Sequence, residues 1–284
     1  MKLKRFEEVI GFGMLGLSAL VVILILCIVI FDITVKGAGS VSWHFLADFP
    51  REGMTQGGIF PAIIGTIFVT LITALLSIPL GVSAAIYLRE YAREGRFTRF
   101  IRASVRNLAG VPSVIYGLFG VALFVEGLRF GTSVLSSGLT LGLLTLPWII
   151  ATSEEALKAV PQSYREGALA LGATKWQSIR SNVLPSAFPG ILTGGILGLS
   201  RAAGETAPIL FTGVAFYLPR LPDSVFDQFM ALPYHLYILS TQHHAIQQVR
   251  PLAYGTALVL IALVFMMNLT AIILRYRYRK KFKM

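Results

Sequence analysis

The chain has 284 residues, of which 55% are hydrophobic and only 14% charged, with a mean hydropathy of +0.71. A soluble domain is roughly 45–50% apolar and about 25% charged, so this composition excludes one. Lys and Arg outnumber Asp and Glu by 25 to 14, a net charge of +11, but these charges border long apolar runs and argue against a nucleic-acid binder. The single cysteine, Cys27, lies inside such a run, which excludes a disulfide framework and a Cys-rich metal site. The chain reads as a polytopic membrane protein.

Uncharged runs long enough for a bilayer of about 30 Å, roughly 18–20 residues, give the spans in chain order. Residues 9–31 come first. The basic start (Lys2, Lys4, Arg5) resembles a signal peptide, but a run of this length without a small-residue cleavage site favours a retained helix. Residues 55–88 exceed one span and fall short of two, which predicts a re-entrant or interfacial approach at 57–61 followed by one helix. Four more runs follow at 107–125, 130–153, 181–200 and 251–274, with no internal repeat at a fixed period. The expected fold class is therefore an all-α polytopic protein with six transmembrane helices.

Charge sets the expected orientation. The N-terminus, the segment 89–106, the segment 154–180 and the tail after Leu274 carry 19 of the 25 Lys and Arg. The opposite side holds only Lys36, Arg51, Arg129, Arg220 and Arg250. The positive-inside rule puts both termini in the cytoplasm, a parity that six helices satisfy. The basic clusters read as topology signals in contact with anionic lipid, with no nucleic-acid partner.

The loop 154–185 is the most informative stretch. Pro161 suits a first helical turn, and Tyr164, Ala168 and Leu171 share one helical face. Gly172 can close that helix in a left-handed cap, and Thr174 with Gln177 forms a capping box for a second short helix. From the residues alone, this helical hairpin is either an ordinary surface feature or a piece built to fill a partner's groove.

Glu166, Gly167 and Ala168, followed after three residues by Gly172 and after nine more by Asn182-Val183-Leu184-Pro185, resemble the EAA–x3–G–x9–I–x–L–P signature of ABC importer permeases. Gly167 replaces the usual alanine, and Asn182 stands where an apolar residue is common. Three further strings, GGIFPAIIGT at 57–66, GVPSVIYGLFG at 110–120 and RAAGETAPIL at 201–210, resemble phosphate ABC transporter permeases of the PstA type. The resemblance covers roughly residues 55–275.

That resemblance implies a type I ABC importer permease forming half of the pathway for inorganic phosphate. Residues 1–54 would hold the first helix and an external loop, 55–275 the permease domain, and 276–284 a basic cytoplasmic tail. The implied partners are a second homologous permease, a dimer of cytoplasmic ATP-binding subunits that docks on the EAA-like loop, and an extracytoplasmic phosphate-binding protein. Glu166, Gly167, Ala168, Gly172, Leu184 and Pro185 would couple to the ATPase. Localisation in the inner or plasma membrane follows, and no cofactor or metal is expected.

The fifth run carries its own chemistry. Twenty uncharged residues precede Arg201, and fourteen follow Glu205 up to Pro219. An arginine at mid-bilayer costs about 2.5–3.5 kcal/mol on insertion scales, so it must face a bundle interior or water. Glu205 lies four positions on, and Gly204 and Pro208 weaken the helix there. The guanidinium fork suits tetrahedral phosphate oxygens, which nominates Arg201, Glu205 and Thr206 for the substrate pathway. The same residues also fit an ion pair that only fixes helix packing. Other oxyanions (molybdate, sulfate) and a proton-linked secondary transporter remain alternatives.

The chain has no Gly-Lys dipeptide, hence no P-loop, and is not expected to be its own ATPase. Adjacent His243 and His244 are expected to diverge on a helix and not to share a metal. The segment 216–250 is expected to pack on the outer membrane surface or on a binding protein.

Overall fold

The computed structural model describes residues 2–281, and side chains for residues 11–278. Lys2, Lys4, Arg5 and the last basic residues therefore lie outside the described side chains, and Lys283 outside the described residues. Helix α1, Lys2–Gly37, carries the first apolar run without interruption. A short crossing follows: α2, Trp43–Ala47, is capped by the Ser42 hydroxyl, which accepts from the Phe45 N–H at 3.1 Å. Two-residue strands β1, Pro50–Arg51, and β2, Gln56–Gly57, then pair antiparallel. Helix α3, Phe60–Ile86, starts with proline in its first turn, where the missing N–H is harmless, and ends in a π-helical turn, Tyr87–Tyr91. The approach before this span is thus a small hairpin, and one helix follows as expected.

The third run departs from expectation. Residues 107–125 do not form one helix, because α4, Arg96–Leu108, meets α5, Ser113–Gly120, and its π-helical continuation Val121–Gly127 at 100°. Pro112 supplies no N–H and pushes Val111 out of the helical region, so the chain turns between Leu108 and Ser113. The basic α4 is strongly amphipathic, the pattern of a helix that lies along a membrane interface. Five helices are long and apolar enough to cross a bilayer, six if this bent pair counts as one span.

Helix α6, Val134–Lys158, begins later than 130 because Ser133 is its N-cap, accepting from the Ser136 N–H at 3.1 Å. It carries Glu154 and Glu155 beyond the apolar run. Helices α7, Gln162–Ala170, and α8, Lys175–Ser178, form the expected hairpin. Through a π-helical turn, Ile179–Val183, the chain enters α9, Leu184–Ala202, then the short α10, Ala207–Thr212. Helix α11, Leu232–Tyr237, precedes the long α12, Ile246–Lys281.

The core is α3, α6 and α9. Gly138 lies against Ile72, Gly142 against Leu76 and Gly81 against Ile149, so α3 and α6 run parallel. Gly194 on Thr152 and Gly198 on Trp148 set α9 antiparallel to α6. Small residues at these seams let backbones approach where lipid supplies no hydrophobic drive. Buried hydroxyls of Thr66, Thr70, Thr73 and Ser77 bond carbonyls four residues back at 2.7–2.8 Å, so the polar atoms on α3 stay satisfied without water.

The segment 216–250, expected to pack on the outer membrane surface or on a binding protein, is in part buried within the chain itself. Phe229, Met230, Ala231 and Leu232 are fully buried, and the Leu232 N–H donates to Thr66 Oγ1 at 2.9 Å. Val134 and Leu135 N–H groups donate to the Asp227 and Val225 carbonyls at 2.9 and 2.8 Å, which satisfies the start of α6. The stretch 229–239 is therefore largely part of the core. Helix α1 is the opposite case: no residue of its apolar window is buried, and it packs along α12.

Candidate functional site

Two places carry the predicted site residues. The first is the α7–α8 hairpin. Pro161 is the N-cap of α7, and Gly172 turns the chain at φ +84°. The Ala173 N–H reaches the Ala168 carbonyl at 3.1 Å, closing the helix in a left-handed cap. Thr174 Oγ1 accepts from the Gln177 N–H at 3.3 Å, and Gln177 Oε1 accepts from the Thr174 N–H at 2.7 Å, which completes the capping box. Glu166 and Gly167 are exposed, Ala168 is half-buried, and Tyr164, Leu169, Leu171 and Trp176 present apolar surface around them.

Leu184 and Pro185 are separate from that surface. Both are half-buried at the start of α9, where Leu184 packs on a cluster of Ala85, Leu157, Val160, Val183 and Ala187. The predicted coupling residues thus split into an exposed tip and a buried root.

Sequence reasoning missed what joins them. Arg165, at the heart of α7, is buried and donates from Nη2 to Glu90 Oε1 at 2.8 Å. Its Nη1 and Nη2 also donate to the Val160 and Leu157 carbonyls at 2.8 and 2.9 Å. One guanidinium therefore ties the hairpin to the last turns of α3 and α6. Arg102 on α4 does the same for the interfacial helix, reaching Glu154 at 2.6 Å, Glu94 at 2.8 Å and the Leu88 carbonyl at 3.0 Å. Its hydrogen bond holds the Glu94 carboxyl below the usual carboxylate range. Both arginines were counted only as topology charges; the one local clue was a carboxylate close to the end of each neighbouring span.

The second place is the break between α9 and α10. The helix stops at Ala202, and the Gly204 and Glu205 N–H groups return to the Arg201 and Ala202 carbonyls at 3.1 Å each. Arg201 Nε lies 3.5 Å from Glu205 Oε1, and Thr206 follows as the half-buried residue that opens α10. The three predicted pathway residues are brought together, but Arg201 is not enclosed by its own chain: its side chain is 61% exposed, that of Glu205 18%. The break sits deep along the bundle, since Gly198 contacts Trp148, midway along α6, and Ser200 Oγ donates to Asn268 Oδ1 at 2.8 Å. Asn268, a lone amide in the sixth apolar run, was a legible signal that the sequence reading passed over.

The histidine pair behaves differently from expectation. His243 is extended at φ −72°, ψ 133°, so the two rings stack at 4.5 Å instead of diverging on a helix. His243 Nε2 lies 2.7 Å from the Gly53 carbonyl, and no metal-ligating cluster occurs among the described residues.

Residues 77–283 match the family described as binding-protein-dependent transport system inner membrane component. The chain is 31% identical over 280 residues to a probable ABC transporter permease protein, YqgI, of Bacillus subtilis, covering 94% of this chain and 95% of that one. It is 38% identical over 223 residues to the phosphate transport system permease protein PstA 1 of Mycobacterium tuberculosis, covering 78% and 71%. Among solved structures, a bacterial ABC transporter that imports the acidic polysaccharide alginate superposes with TM-score 0.64 at 15% identity, over 92% of this chain and 95% of that one. The inward-facing MetNI methionine ABC transporter gives 0.62 at 16% identity over 78% and 97%, so both share the fold. With the family match over residues 77–283 and these relatives in agreement, the chain belongs to the binding-protein-dependent inner-membrane permeases of ABC importers, as a multi-pass membrane component with the type I fold.

Proposed function

We propose that the chain is one of two permease subunits of an ATP-driven importer of inorganic phosphate. The observation that carries this reading is the Arg201 side chain, open on the protomer surface at a helix break deep in the bundle. A charge at that depth needs water or a partner, and a second homologous permease facing it would enclose a pathway between the two. Broken helices at mid-membrane are where transporters expose backbone groups to ions. The guanidinium would attract the tetrahedral anion, and Glu205 would offset part of its charge so that phosphate can leave. Relatives named as phosphate transport permeases support this anion over sulfate or molybdate.

At the basic end, α7 and α8 would dock on a cytoplasmic ATP-binding subunit, with Tyr164, Leu171 and Trp176 filling its groove around Glu166. ATP binding would close the ATPase dimer and swing both hairpins. The buried root at Arg165, Leu184 and Pro185 would carry that motion into α3, α6 and α9, opening the pathway outward to an extracytoplasmic phosphate-binding protein. Hydrolysis would reset it. Sidedness follows from charge: Arg89–Arg106, Lys158–Arg180 and Arg275–Arg277 gather at one end of the bundle, which the positive-inside rule assigns to the cytoplasm. In a Cys27-free background, a cysteine near Arg96 should resist an impermeant thiol reagent added outside cells, and one near Asp227 should react. The reverse labelling would overturn the orientation. Labelled-phosphate uptake by Arg201→Gln tests the site: uptake should vanish while assembly with the ATPase persists, and normal uptake would contradict it.

A further inference from the structure

The seam between α1 and α12 holds a cleft apart from the Arg201 break and the α7–α8 hairpin. At its mouth, Lys36 in the last turn of α1 and Arg250 near the start of α12 line one open cavity of about 430 Å³ with Tyr254. Lys36 Nζ lies over the Tyr254 ring, 5.2 Å from its centroid, and within 2.6 Å of Asp32 Oδ1. Arg250 is exposed and makes no ion pair among the described residues. Two cations and one carboxylate leave the mouth with a single net positive charge.

Below the mouth the same residues, Arg250 and Tyr254, border a second cavity of about 470 Å³. It is lined mainly by apolar side chains, among them Ile33, Leu239, Ala253 and Ala257. A polar mouth with net charge of one sign above a mostly apolar slot is the negative image of an amphiphile. Its position fits as well. Lys36 and Arg250 stand where two long apolar helices leave their apolar runs, the position at which basic residues would meet lipid headgroups. Helix α1 leaves its apolar window unburied and packs along α12, so a ligand in this seam would add contact exactly where the chain has least.

We propose that this cleft binds one anionic phospholipid, with its phosphodiester between Lys36 and Arg250 and one acyl chain in the slot beside Ile33 and Ala257. The single negative charge of a phosphodiester matches the net charge of the mouth. The arginine fork takes two phosphate oxygens, and the lysine adds a third donor. The lipid would pin α1 to α12 beside the buried cluster that holds Leu239 and Ala253.

The test is native mass spectrometry of the full chain released from nanodiscs that contain equal phosphatidylglycerol and phosphatidylethanolamine. Wild-type protein should retain phosphatidylglycerol selectively, and Arg250→Gln should retain it roughly tenfold less, the scale of one lost charge-assisted bond. Ala257→Trp fills the slot without touching either cation, so it separates lipid from free phosphate. It should lower phosphatidylglycerol retention and leave any weak binding of inorganic phosphate unchanged. Equal retention of both lipids by wild type would overturn the proposal. So would unaltered retention in correctly inserted Arg250→Gln and Ala257→Trp, or displacement of the bound species by inorganic phosphate.

Discussion

Arg165 and Glu90 are 75 residues apart and meet at 2.8 Å, both nearly closed to solvent, in the only buried ion pair among the described residues that joins the hairpin to the bundle. Removing one partner of such a pair leaves an uncompensated charge and costs about 3–5 kcal/mol, whereas replacing both with apolar side chains is often tolerated. Glu90→Leu alone should therefore lower the melting temperature of the purified chain sharply, and Glu90→Leu with Arg165→Met should recover most of it. If the hairpin docks an ATP-binding subunit as proposed, complexes containing even the recovered double variant should hydrolyse ATP without phosphate control, because the apolar pair has lost the carbonyl contacts to Leu157 and Val160. Full transport by the double variant would mean that the pair serves stability alone.

The hairpin tip makes a different demand. Gly172 sits at φ +84°, a conformation that a β-branched residue adopts only at a cost of about 1–2 kcal/mol. Nothing lies within 4 Å of its missing Cβ, so the strain is in the backbone and not in packing. Gly172→Val should insert and fold but misdirect α8, and Glu166→Lys should invert an exposed charge on the proposed docking surface. Both are expected to assemble poorly with the ATP-binding subunit and to lose transport-coupled ATP hydrolysis. Retained coupling in both would reduce the hairpin to a surface feature.

Acid sensitivity should trace to His235. Burial, with a smaller contribution from His243, pushes its pKa down to about 4, and its Nδ1 has no hydrogen-bond partner. The unfolded chain takes up that proton near pH 6.5 and the folded one only near 4, so stability is full above about 6.5 and falls as the pH drops between those values. The loss at pH 5 is about 2 kcal/mol. His235→Leu should flatten the pH dependence of the melting temperature between pH 7 and 5. An unchanged profile would assign the acid sensitivity elsewhere.

What the sequence made legible was local or long. Apolar runs set the spans because bilayer thickness is a fixed ruler, and Thr174 with Gln177 set the α8 cap because both partners lie within one turn. The bend at Pro112 was hidden because hydropathy reports what a run avoids, not where it turns; Pro112 itself was in view and was read as part of a span. Arg165 was read as a topology charge since its partner lies 75 residues away in another element, and the carboxylate near the end of that span does not by itself name its partner. The residues of the helix break were found, and their exposure was not, because burial inside an assembly cannot be separated from burial inside a chain by composition. His243 and His244 were misjudged for the opposite reason: a helix was assumed where the chain is extended.

The central claim is that Arg201 serves the anion and not the packing. Its contact with Glu205 is long, 3.5 Å, and its side chain is mostly exposed, which is weak geometry for a structural pair. Lysine at 201 keeps the charge but loses the fork, so it should rescue poorly. The most direct measurement is labelled-phosphate uptake by the Arg201→Met/Glu205→Gln double variant, with assembly followed in the same membranes. Assembled complexes that transport no phosphate are the expected result, and normal uptake by that variant would contradict the assignment.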